Sequence, residues 1–186
     1  MKNRNSFSII LAILIIILGI YYRLIPHPPN FSPLISITVF SGFVLIKNKY
    51  LAYLLPLIIL ITSDLIIGIH NQIITVYLSF IVSVYLSEFY FKSLKLDTEN
   101  SNLKKVLHAN ISGLINSTWF YLFTNFVVWI STNMYSKNLN GLIECYIMAI
   151  PFFKNSLISS IIFTTIIFGI YYYFHLMMEK LTIETK

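Results

Sequence analysis

LAYLLPLIILITSDLIIGI, residues 51–69, decides what kind of protein this is. It runs for nineteen residues with one charge, Asp64, and an apolar helix needs ~20 residues to cross a hydrocarbon core of about 30 Å. A carboxylate at the centre of such a helix costs about 2.5–3.5 kcal/mol, so Asp64 has to face other helices or water. Counting from Leu51 at about 1.5 Å per residue puts it roughly 20 Å up the helix, in its far third. The stretch predicts a span with one polar point in it.

Five further apolar stretches follow the same rule: 6–22, 31–46, 73–91, 111–130 and 155–177. The second is short and begins just after prolines. A seventh piece, 141–153, contains Glu144 and Pro151 and has the length of a re-entrant or interfacial segment. The chain is 57% hydrophobic and 11% charged, against about 25% charged in soluble domains. The expected architecture is therefore an all-α integral membrane protein: one domain over 1–186, a six-transmembrane-helix bundle. Lys2 and Arg4 precede the first apolar run, but no small-residue cleavage site follows it; Tyr21, Tyr22 and Arg23 stand there, so it reads as a retained span.

Orientation comes from the basic residues. With the N-terminus inside, Lys2, Arg4, Lys47, Lys49, Lys92, Lys95, Lys104, Lys105, Lys180 and Lys186 fall on the cytoplasmic side, and Arg23, Lys137 and Lys154 on the other, accounting for all thirteen. This bias predicts cytoplasmic N- and C-termini in a multi-pass protein of a bacterial cytoplasmic (inner) membrane. It explains the net charge of +6 without a nucleic-acid patch, and no nucleic-acid motif is present. The charged stretch 92–105, with Asp97 and Glu99, reads as a cytoplasmic linker between two three-span halves. Cys145 is the only cysteine, so no internal disulfide forms.

After the first span comes Arg23-Leu-Ile-Pro-His-Pro-Pro-Asn-Phe-Ser-Pro33. Prolines fix their own φ and hold Ile25, His27, Pro28 and Ser32 out of α conformation. A stiff, extended external connector presenting Arg23, His27 and Asn30 is expected; a rigid lid or plain turn is the alternative. Under the predicted topology Asp64, His70, Asn71, Asn125, Trp129, Glu144 and Tyr146 also fall in the external half, as do Ser156, Ser159 and Ser160. Asp64 either joins a binding site or is satisfied by Arg23 or neighbouring hydroxyls, with Gly68 one turn above leaving room. His27, Asp64, His70 and Glu144 are metal-binding types, but no compact spacing such as His-x-x-x-His is present, so no metal site is assigned. Asn110, Gly113, Ser117, Tyr121 and Thr124 form one helical stripe, as do Ser79, Ser83 and Ser87; such stripes serve close packing or line a cavity. Glu88 pairs with Lys92 at i+4 or reaches headgroup water.

No P-loop, H-E-x-x-H, G-x-S-x-G or paired-cysteine motif occurs, and no cofactor is expected. An intramembrane acid with polar groups on one side fits ligand capture, and the chain is not expected to be an enzyme. The competing readings are a membrane-embedded enzyme acting on a lipid headgroup, with His27 and Asp64 as base and acid, and a structural subunit of a membrane complex.

R-L-I-P-H-P-P-N-F-S-P, Phe40-x-Gly42, the S-D-x-x-x-G-x-H of Ser63 to His70, the T-N-F-x-V-W of Thr124 to Trp129, and the G-L-x-x-C-Y-x-x-A-I-P-F-F-x-N of Gly141 to Asn155 together resemble an uncharacterised bacterial family of small six-span membrane proteins, candidates for transport. Ser159 and Ser160 depart from the Gly-Asp pair expected there. That family is in turn remotely similar, in span number and site placement, to the substrate-capture (S) components of energy-coupling factor transporters, which take up vitamins and metal ions. The resemblance implies an external cavity, a separate transmembrane coupling subunit and ATPases as partners. The expected function is capture of a small solute, vitamin-like or metal-related, at the external face. Arg23, His27, Asn30, Asp64, His70, Asn125, Trp129, Glu144 and Tyr146 are the expected contacts, and motion of the connector between Pro26 and Pro33 is the expected gate.

Overall fold

The computed structural model describes residues 2–94 and 101–184, with side chains described for 10–94 and 101–177. Residues 95–100 of the expected linker, with Lys95, Asp97 and Glu99, and also Lys186, lie outside the described residues. The regular structure of the described residues is all helical, with no strands. In chain order they form α1 (Lys2–Leu24), α2 (Leu34–Phe40) continued by a π-helical segment (Ser41–Leu45), α3 (Lys49–Ile67), α4 (Ile73–Ser93), α5 (Asn102–Ser131) and α6 (Leu139–Glu184). Among the described residues, three helical stretches are long and apolar enough to cross a membrane: Lys49–Ile67, Ile73–Ser93 and Leu139–Met177. Two shorter apolar ones, Ile10–Leu24 and Leu34–Leu45, accompany them.

Local chemistry sets the ends. α1 stops at Leu24 because Ile25 precedes Pro26 and is held out of the α region. Asn48 caps α3 by accepting from the Leu51 N–H at 3.2 Å, and Ser101 does the same for α5 through Lys104 at 3.4 Å. α3 ends at Gly68, whose φ of +116° only glycine adopts easily. Nothing approaches within 4 Å of a Cβ added there, so Gly68 serves as a helix terminator with open space beside it.

The centre of the bundle is α2. Every residue from Leu34 to Gly42 is buried, enclosed by α3, α4, α5 and α6. Seven α-helical and five π-helical residues rise only about 18 Å. Gly42 is what lets the π segment lie on α4, since a Cβ there would stand 2.6 Å from the Val84 carbonyl oxygen.

The buried interior is rich in hydroxyls. Ser36, Thr38, Ser63, Ser79, Ser83, Ser87, Ser112, Asn116 and Thr164 are all at 1% exposure or less. Ile13, Leu14, Ile17 and Leu18 of α1, Leu54, Ile61 and Leu65 of α3, and Ile158, Ile162 and Ile166 of α6 face outward instead. An apolar perimeter around an interior that mixes hydroxyls with apolar side chains such as Phe40, Leu55 and Phe168 is compatible with lipid as the surrounding medium. The small-residue stripes resolve as packing. Gly113 lies against Ser160, Ser117 donates to the Ser156 carbonyl, and Tyr121 stacks on Phe153 at 4.4 Å, all between α5 and α6. Ser87 accepts from Asn116 at 2.7 Å between α4 and α5.

One boundary needs correction. The expected separation of a re-entrant piece at 141–153 from a sixth span at 155–177 does not occur: α6 runs unbroken through Pro151. Proline lacks only its own N–H, and the long antiparallel partner α5 packs along this helix and holds it continuous.

Candidate functional site

Arg23, His27, Asn30, Asp64 and His70 gather at the end of the bundle where α1 and α3 finish and α4 begins. Arg23, in the last turn of α1, forms an ion pair with Asp64, in the last turn of α3. Asp64 is 3% exposed and Arg23 17%. The second carboxylate oxygen of Asp64 accepts from the Tyr77 hydroxyl of α4 at 3.0 Å. Three helices are thereby tied at one point, and both oxygens of the buried acid are engaged. This is the ion pair with Arg23 that was weighed for Asp64. Arg23 keeps a buried Nε–H with no partner.

The connector then turns back over the bundle. The Phe31 N–H donates to the Pro28 carbonyl at 3.0 Å, closing a tight turn with Pro29 and Asn30 at its centre. Asn30 has φ +60°, which asparagine tolerates better than other non-glycine residues. The expected extended segment is thus extended only up to Pro28. α6 holds the turn: Asn155 donates to the Pro29 carbonyl at 2.9 Å, and Phe163 meets Tyr22 and Phe31 edge-on at 5.2 and 5.9 Å. Asn30→Val places a β-branched residue at positive φ and is expected to cost about 1–3 kcal/mol, while Asn30→Gly is close to neutral. Thermal unfolding of the two variants side by side checks this.

Beneath the connector lies a cavity of about 440 Å³. Arg23, His27, Asn30, Ser32, His70 and Ser156 supply its polar lining. Leu34, Ile35, Ile67, Val76, Phe80 and Phe120 supply the apolar part. The floor is the start of the buried α2, and Phe80 and Phe120 form a wall with ring centroids 5.3 Å apart.

Of the nine residues expected from sequence, Arg23, His27, Asn30 and His70 line this cavity, and Asp64 supports it through Arg23. The other four lie in the α5–α6 hairpin and do not line it. Trp129 donates to the Ser136 carbonyl at 2.9 Å beneath Lys137, whose ammonium caps the last carbonyls of α5. Asn125 donates to the Tyr121 carbonyl and Tyr146 to the Leu122 carbonyl, both at 2.8 Å, and Glu144 is exposed. Tyr77, Phe80 and Phe120 were not anticipated. Thirteen tyrosines and fifteen phenylalanines gave no local signal to pick them out.

At the opposite end, Glu88 pairs with Lys92 and accepts from Tyr53 at 3.4 Å beside a smaller cavity of about 170 Å³. Among the described residues no group of three or more His, Cys, Asp or Glu could hold a metal ion. Residues 2–181 match a family of unknown function, DUF6580. No curated protein and no solved structure matches the chain.

Proposed function

Because the chain belongs to DUF6580, a family of unknown function, its role must come from its own residues, and we propose that it captures a small solute at the external face of a bacterial inner membrane and carries it across. The observation that carries the reading is the cavity of about 440 Å³, large enough for a small organic molecule, with Arg23, His27 and His70 at its rim and an aromatic wall within. In this reading the bundle has six passes: α1, α2 with its π segment, α3, α4, α5 and α6. Both ends are cytoplasmic, in keeping with the ten-to-three division of basic residues. The short α2 crosses inside the protein, where neighbouring helices satisfy its hydroxyls. The connector fills the depth that α2 leaves open. Like an S component, the chain would work with a transmembrane coupling subunit and ATPases.

Native mass spectrometry of the protein released from lipid discs tests capture. Wild type is expected to carry a small molecule. His27→Ala is expected to lose most of it with unchanged thermal stability, because His27 makes no contact that holds two helices together. Bare wild-type protein, together with no solute accumulation in cells that express it, would overturn the proposal.

A further inference from the structure

We infer that the cavity's occupant is a monoanionic organic acid with a flat apolar body, an inference that rests on the capture reading above. The argument begins with charge. Asp64 is buried and its two oxygens are engaged by Arg23 and Tyr77, so no carboxylate faces the cavity. A cationic solute would meet an arginine there and, for acceptors, only neutral groups. The guanidinium is in turn offset by Asp64, and the rim carries no second fixed cation. The lining therefore offers one partly compensated guanidinium with neutral donors beside it, enough for one negative charge at most. A phosphate dianion needs more compensation than this rim holds.

The two imidazoles sharpen the choice. His27 Nδ1 lies 2.9 Å from the Pro28 carbonyl, and a carbonyl can only accept, so Nδ1 carries the proton. His70 Nδ1 accepts from the Gln72 N–H at 3.2 Å, so its proton resides on Nε2. Backbone contacts thus fix opposite tautomers. The neutral His70 presents a donor at Nε2, and the neutral His27 an acceptor. His27 is steadied further by stacking on Tyr22 at 5.2 Å. A carboxylate fits Arg23 and His70, with His27 accepting from an N–H or O–H elsewhere on the solute. Phe80 and Phe120 then supply a surface for an aromatic or similarly flat body.

The test is thermal unfolding of the full chain in lipid discs with matched probes. These are indole-3-acetate and 3-phenylpropionate, the amines tryptamine and 3-phenylpropylamine, and phenyl phosphate. Both carboxylates are expected to raise the unfolding temperature in a saturable way, with the amines and the phosphate ester weaker by about tenfold or more in apparent Kd. His27→Ala/His70→Ala is expected to abolish the carboxylate shift measured against the variant's own ligand-free unfolding temperature, which loss of the Gln72 and Tyr22 contacts lowers only modestly. Phe120→Ala, which keeps the polar rim, is expected to weaken the carboxylates also. Stabilisation by the amines equal to that by the carboxylates, or a carboxylate shift that survives the double histidine variant, would overturn the assignment. No response to any probe, with a small molecule still found by native mass spectrometry, would overturn the ligand class and leave capture standing. No response and no bound molecule would remove both.

Discussion

Replacing Asp64 with leucine is expected to cost about 3 kcal/mol of folding stability or slightly more. Breaking a buried ion pair from one side costs about 3–5 kcal/mol, and the 17% exposure of Arg23 places this case at the low end. The loss has two parts: Arg23 keeps a charge with no counter-ion, and the Tyr77 hydroxyl loses its acceptor. Unfolding midpoints of the protein in lipid discs measure it. Arg23→Leu/Asp64→Leu is expected to recover much of the stability, because removing both charges leaves none buried alone. The double variant should still fail to retain the solute, since the guanidinium is gone. A single Asp64→Leu variant as stable as wild type would show that the three-helix tie carries no weight.

Gly42→Ala is the second large effect. The new Cβ would lie 2.6 Å from both Ser87 Cβ and the Val84 carbonyl oxygen, and 3.0 Å from the Glu88 nitrogen. Two of these are backbone atoms of α4 that no rotamer change can move, so the π segment has to lift away. Overpacking of this kind costs about 1–3 kcal/mol. Gly169→Ala supplies the contrast, because a Cβ there meets nothing within 4 Å. In a helix interior that exchange normally gains up to about 1 kcal/mol. The two alanine variants should therefore shift the unfolding temperature in opposite directions. A stabilised Gly42→Ala would mean that α2 and α4 are not in the tight contact described.

Much of this was legible in the chain itself. Apolar runs located the ends of α1 to α4 to within about four residues, because outward-facing Ile and Leu leave a signal that needs no tertiary information, but α5 starts at Asn102 and α6 at Leu139, well before the expected spans at 111 and 155. The connector's prolines marked where α1 stops, and the cost of an intramembrane acid singled out Asp64. The partner choices were not legible. That Tyr77, among thirteen tyrosines, reaches Asp64 depends on how α4 rotates against α3. Side of the membrane was a poor proxy for proximity, so Asn125, Trp129, Glu144 and Tyr146 were grouped with His27 although α5 and α6 hold them in their own hairpin. Pro151 suggested a break, where packing along α5 preserves a 46-residue helix.

The enclosed α2 also sets the order in which the chain can become whole. Ser36 donates to the Ser160 carbonyl at 3.1 Å and accepts from Thr164 at 2.9 Å, partners 124 and 128 residues downstream. At about 5–20 residues per second, a ribosome reaches them roughly 6–25 s after making Ser36. Throughout that interval the Ser36 hydroxyl lacks its final partners, whereas Thr38 already donates to the Ile35 carbonyl three residues back. Biogenesis of this protein is thus a matter of sheltering its earliest polar segment until its last helix is synthesised.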